Sequence, residues 1–230
     1  MRDLLNVTRD LDQDIFRNVV SLRETQNLFD DLDADEISTE VAIQAEMRVK
    51  QTIPSGFLAR GFHYSTSIGY PFQTEPFMAS RFGDGTYGVW YGGLELETTV
   101  FETVYHMVRN ELAIEGMTEV VVRDRAVYRV HCRAVLMDLV GKEEAFPLLI
   151  ADDYAFPQEI GRRLHHEGHP GLLAPSARRK GGINGVIFNP EVLHNLQNHC
   201  FLTYRLDPHR AQVTIERQPG QEWFSIPFGP

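Results

Sequence analysis

Three residues of different chemistry cluster around one glycine-rich stretch: Arg81 opens it, Tyr91 lies near its end, and Glu102 follows shortly after. The stretch reads Arg81-Phe82-Gly83-Asp84-Gly85-Thr86-Tyr87-Gly88-Val89-Trp90-Tyr91-Gly92-Gly93. An arginine offers a forked cation that suits phosphate, and a tyrosine ring offers a face to a cationic group. A glutamate can stabilise positive charge that develops during a reaction. If the three converge, one small ligand would meet a cation, an aromatic plate and a carboxylate. The ordinary alternative is a plain strand–Gly-Gly–helix join with a core aromatic and a solvated glutamate. Spacing alone leaves both readings open.

The elements that would position these residues can be read from local pattern. Val89, Trp90 and Tyr91 are β-formers bounded by glycines, which predicts a strand. From Leu94 the period becomes helical, with Val100, Phe101, Val104, Tyr105, Val108 and Leu112 on one stripe and Glu102 at its border. Residues 57–64 predict a strand carrying Arg60, either a structural arginine at an edge or ion pair, or part of a site. Residues 65–80 contain Gly69, Pro71 and Pro76 and predict a long irregular loop of the kind that forms lids and binding walls.

Later in the chain, Val120–Val122, Ala126–Val130 and Arg133–Leu139 predict successive strands, and Tyr154–His166 a helix. The cluster His165-His166-Glu167-Gly168-His169 lacks the one-turn histidine spacing of zinc proteases, so a loop with histidines is expected and no metal. Pro175 holds the chain extended before Ser176. The basic knot Arg178-Arg179-Lys180 and Gly181-Gly182 then bring backbone N–H groups and cations to a place suited to an anion. The bland reading of Ser176 is a turn serine. Gly185–Phe188 predicts a strand, and Leu202–Leu206 with Gln212–Arg217 a closing hairpin.

The first 52 residues predict a helical extension, with Leu11, Ile15, Val19 and Leu22 on one face and Val41, Ala45 and Val49 on another. The acidic run Asp30–Glu36 does not fit a calcium loop, because Glu36 and Ala42 stand where glycine and glutamate are required. The expected division is a helical extension over 1–52 and the main domain over 53–230. Strands outnumber helices after residue 55, which favours an α+β arrangement. Gly83-Asp84-Gly85 is not a dinucleotide fingerprint, since Gly88 precedes a strand rather than a helix.

Composition bounds the function. With 230 residues, 43% hydrophobic and 23% charged, the chain suits a soluble globular protein. A net charge of −10 argues against direct nucleic-acid binding. No apolar run is long enough to span a membrane, Met1–Asn6 lacks a secretory core, and two cysteines make no disulfide framework. A cytoplasmic location is the expectation.

Taken in order, these residues resemble the RES domain family, named for its arginine, glutamate and serine. The match is carried by Arg60, Arg81, Tyr91 after Val-Trp, Glu102 in the next helix, and Ser176 in Ala-Pro-Ser-Ala followed by Gly-Ile-Asn-Gly-Val-Ile-Phe-Asn-Pro. It spans about residues 53–206. Two features depart from the family pattern: Gly61-Phe62 follows Arg60 where an aromatic is common, and the N-terminal extension is long. The resemblance implies an ADP-ribosyltransferase-like fold with a mixed or antiparallel β core and flanking helices. It further implies a toxin of a toxin–antitoxin pair that uses NAD as substrate, with an Xre-type helix-turn-helix antitoxin as partner. A homo-oligomer is left open. Arg60, Arg81, Tyr91 and Ser176 would bind NAD, and Glu102, Tyr91 and Arg81 would carry catalysis. Hydrolysis or phosphorolysis of NAD is the leading expectation, transfer of ADP-ribose to a protein the second, and a non-catalytic NAD-binding protein the third. Glu95-Leu96-Glu97 mimics the Glu-x-Glu of arginine-directed transferases, but its place at a helix start fits a dipole-matching role.

Overall fold

A turn of helix and two steps of strand both return to the same face after four residues, and the N-terminal segment takes the second course. The computed structural model describes residues 3–20, 65–73 and 77–229. Thr8–Val20 is strand β1, not helix. Leu11 and Ile15 point into the core while Asp12 and Asp14 face solvent. β1 runs antiparallel to β3 (Val121–Asp138) along its whole length, from Thr8↔Met137 to Val20↔Arg125. The helical reading of Leu11, Ile15 and Val19 is thereby corrected. The remainder of the expected extension, including Leu22, Val41, Ala45 and Val49, and the predicted strand carrying Arg60 lie outside the described residues.

The remaining described elements are β2 (Trp90–Gly93), α1 (Leu96–Leu112), α2 (Ala155–His166), β4 (Gly171–Pro175), β5 (Ile183–Ile187), β6 (Leu193–Asp207), β7 (Gln212–Gln218) and β8 (Gln221–Pro227), with short 3-10 turns between some of them. The class is α+β, as expected. The strands lie in the order β1-β2-β5-β4-β3-β6-β7-β8, and β1 also pairs with β3. Five strands, β1, β2, β5, β4 and β3, therefore close into a ring, from which β6, β7 and β8 extend as an open sheet. Leu11, Ile15, Trp90, Val130, Leu136, Leu173 and Ile187 from these five strands form one buried cluster.

The three strands expected between residues 120 and 139 are one continuous strand, β3. Its charged interruptions are cross-strand or helix partners rather than turns. Arg123 pairs with Glu111, Asp124 accepts from Thr203 and Arg125 donates to Asn18. Within the predicted loop over 65–80, Ser65–Gly69 forms a π-turn and Tyr70–Phe72 a 3-10 turn. Ile68 is buried, and Ser67 O accepts from Trp90 Nε1 at 3.0 Å, so this stretch is wall as well as loop.

Among the described residues two α-helices flank the sheet. α1 buries Leu96, Val100, Val104 and Met107 against β3, β6 and β7. The stripe is rotated slightly from the expected one, since Leu112 is exposed and Phe101 and Tyr105 are half-buried. Glu97 in its first turn and Arg109 in its last match the helix dipole. Just past the end of α2, the φ of 78° at Gly168 lets His169 N bond back to Leu164 O. Its buried face includes Gly161, where a Cβ would stand 1.9 Å from Phe82 O. Only glycine lets α2 come this close to the Arg81–Phe82 loop.

Candidate active site

Glu102 sits half-buried on α1, at the border of the apolar stripe. Its Oε1 accepts two hydrogen bonds, from Ser176 Oγ at 2.6 Å and from Asn184 Nδ2 at 2.7 Å. Ser176 follows β4 and Asn184 belongs to β5, so three separate elements fix one oxygen. Among the described residues no donor reaches Oε2, which leaves that oxygen for a ligand.

The turn after Ser176 explains why this serine is fixed. Ser176 is buried, its N donates to Gly182 O, and its Oγ accepts from Arg178 N and Arg179 N at 3.1 and 3.0 Å. With its proton on Glu102, the hydroxyl is fully engaged. The amides expected to reach for a phosphate are thus turned onto Ser176 itself. Sequence showed the serine but not its orientation, and it gave no role to Asn184.

Tyr91 is placed by register. Tyr91 pairs with Val186 and Gly93 with Asn184, so Tyr91 and Asn184 share a face of the sheet. The Tyr91 hydroxyl accepts from Phe82 N and bonds Ser80 Oγ, both at 2.8 Å. Burial drives its pKa up to about 12, against opposing contributions from these two bonds and from Arg81. The ring is therefore a neutral plate that also buttresses the Arg81 loop.

Arg81 faces the segment before α2. Its Nη1 donates to Leu149 O at 3.3 Å and Ala151 O at 2.5 Å, and its guanidinium lies 4.6 Å from the Tyr154 ring centre. Arg178 meets the same segment, pairing with Asp152 at 2.8 Å and lying 3.3 Å above the Tyr105 ring centre. His106, one turn after Glu102, feels the charges of Glu102, Arg178, Arg109 and Arg81. Although its edge is exposed, desolvation of the ring and the three arginines hold its pKa below the ordinary value, with Glu102 pulling the other way. Tyr91, Asn184, Glu102 and Ser176 thus gather at one face of the sheet, and the charges of Glu102 and Arg81 both reach His106. Arg60 lies outside the described residues.

The model of the RES domain matches residues 49–207, well over half of the chain. The chain belongs to the RES domain family. The matched span closely follows the one marked by the sequence motifs. A comparison with curated proteins gives no match. Among solved structures, the M. tuberculosis MbcT–MbcA toxin–antitoxin complex contains a similar chain, with 14% identity, a TM-score of 0.44 and 88% of each chain covered.

Other candidates in this RES domain resolve into structure. Glu95 precedes α1 without capping it through its side chain, and its carboxylate pairs with Arg179, which also reaches Thr98. The expected dipole-matching role at this end therefore falls to Glu97. His165 stacks on Tyr87 with ring centres 4.1 Å apart, and His169 lies 3.6 Å from Glu167. Among the described residues no cluster of three or more His, Cys, Asp or Glu side chains is arranged to hold a metal. No helix among them is long and apolar enough to cross a membrane.

Proposed function

We propose that this RES domain protein is a toxin that binds NAD and cleaves its nicotinamide–ribose bond. The observation that carries the proposal is Glu102, held through Oε1 by Ser176 and Asn184 with Oε2 left available. As the bond between the ring nitrogen and C1′ of the ribose breaks, its electron pair returns to nicotinamide, which leaves neutral. The ribose becomes oxocarbenium-like, and a fixed carboxylate beside it stabilises that charge, as in glycoside hydrolysis. Water then adds to C1′ and loses its proton to solvent. If phosphate adds instead, it forms a glycosyl phosphate.

Tyr91 supplies a flat face for the cationic ring before cleavage, a contact worth ~0.5–2 kcal/mol. Arg81, with its remaining donors, grips the diphosphate, and Arg60 adds a second fork as the family motif implies. Ser176 and Asn184 act through Glu102 by fixing its rotamer. An Xre-type helix-turn-helix antitoxin would block this site in the resting cell.

The products decide the acceptor. Purified protein is incubated with NAD in phosphate buffer or in phosphate-free buffer, and the products are identified by mass. Free ADP-ribose in both buffers supports hydrolysis, while a phosphorylated ADP-ribose in the first alone supports phosphorolysis. Protein-bound ADP-ribose, seen only when cell extract is added, would replace both with transfer to a protein.

A further inference from the structure

We propose that Arg178 is a second diphosphate-binding residue of this site, alongside Arg81, and that Asp152 holds its place until a ligand arrives. The inference rests on the NAD reading for the identity of the ligand but not for the existence of the anion site.

Arg81 and Arg178 both meet one short segment, residues 149–154. Arg81 donates to Leu149 O and Ala151 O and lies over the Tyr154 ring. Arg178 pairs with Asp152 and also feels Tyr154, and Asp152 feels the charge of Arg81 as well. Two cations thus lie against Tyr154 and Asp152, beside the turn that fixes Glu102. Among the described residues the only carboxylate paired with either guanidinium is that of Asp152.

The two ends of the Arg178–Asp152 pair are unlike. The Arg178 side chain is only 14% exposed and its planar group is stacked on Tyr105, whereas the Asp152 side chain is 76% exposed. Stacking preorganises the fork, so little rotamer freedom is lost when it takes up a new anion. Asp152 leaves the pair at little cost, because an exposed carboxylate is readily hydrated. A diphosphate carries more charge and offers paired oxygens to a fork, so it outcompetes one solvated carboxylate. Arg179 differs, being held by Glu95 and Thr98 on the other side of the turn.

The test is calorimetric titration of the whole chain with inorganic pyrophosphate and, separately, with NAD. Arg178→Gln is expected to weaken both about tenfold or more, the scale of a lost charge-assisted pair. Asp152→Asn is expected to tighten pyrophosphate binding about threefold, because Arg178 loses its internal competitor. A merely structural Arg178 would make Asp152→Asn neutral or weakening. Steady-state assays of Arg178→Gln should show a raised KM for NAD with a much smaller change in kcat. Unchanged binding of both ligands by a folded Arg178→Gln overturns the proposal. Pyrophosphate binding that depends on Arg178, with no NAD binding by wild type, keeps the anion site and overturns the NAD reading. Binding of neither ligand by wild type overturns both.

Discussion

The hydroxyl of Ser176 donates to Oε1 of Glu102 across 2.6 Å, tying the end of strand β4 to the middle of helix α1. A lone glutamate on a helix border would sample several rotamers. Here Ser176 is itself fixed by two backbone amides, and Asn184 adds a second donor to the same oxygen. The carboxylate is therefore aimed before any ligand binds.

Removing either donor should misaim Glu102 without removing its charge. Ser176→Ala and Asn184→Ala are each expected to lower kcat on NAD about 10- to 100-fold, from a hydrogen bond to a charged group worth ~1.5–3 kcal/mol. KM should change far less. Steady-state kinetics of the two variants check this, and a loss confined to KM would assign both residues to binding instead.

Tyr91→Phe leaves Phe82 N–H without its acceptor. A loss of ~1–3 kcal/mol is expected, read by urea unfolding at neutral pH. The hydroxyl pKa is raised from 10 to about 12 in the fold, with burial the largest cause. Its contribution is fully present below pH 10 and is lost as pH rises through 12. The gap between wild type and variant should therefore narrow only in that alkaline window.

Gly161→Ala places a Cβ against Phe82 O, a backbone atom with no side-chain freedom to yield. Overpacking of this kind costs ~1–3 kcal/mol. The thermal midpoint should fall, and NAD affinity should fall with it because α2 pushes on the Arg81 loop. A variant as stable as wild type would mean that α2 can shift away freely.

Asp84 gives an acid-side test. Desolvation works to raise its pKa but is outweighed by hydrogen bonds from Thr86 Oγ1, Arg162 and Thr86 N, which bring it from 3.8 to about 2. Because the folded value is the lower one, its contribution is present above pH 3.8 and lost as pH falls toward 2. Asp84→Asn should be less stable than wild type at pH 7, and the two should converge through that acid window in denaturant titrations.

Much of this arrangement was legible in the sequence because it is written in local pattern. The glycine-bounded Val-Trp-Tyr strand, the helix after Gly92-Gly93 and the helix ending before Gly168 follow from period and punctuation. The order of Arg60, Arg81, Tyr91, Glu102 and Ser176, with the Gly-Ile-Asn-Gly-Val-Ile-Phe-Asn-Pro run after it, is enough to suggest the RES family. Residues 8–20 misled because Leu11, Ile15 and Val19 stand four apart, a spacing that strand and helix share. What decided for the strand is its partner β3, more than a hundred residues away. β3 was divided into three because charge inside a strand reads as a turn until the cross-strand partners of Arg123, Asp124 and Arg125 are known.

The contacts of the site were not legible for a different reason. That Ser176 turns inward to Glu102 depends on the closed turn from Ser176 to Gly182 and on the approach of α1 to it. A Cβ at Gly182 would stand 2.8 Å from Thr98 Oγ1, so this approach needs glycine there. Asn184 lies in the Gly-Ile-Asn-Gly run, yet only the pairing of β5 with β2 and β4 brings it under the carboxylate.

The most direct test is release of nicotinamide from NAD by the purified chain with no protein acceptor present, compared with Glu102→Gln. Steady release by wild type, lowered ~10²–10³-fold in a variant of equal thermal stability, is the predicted result. Equal release by both proteins would remove Glu102 from the chemistry, and no release by wild type would contradict cleavage of NAD without a protein acceptor.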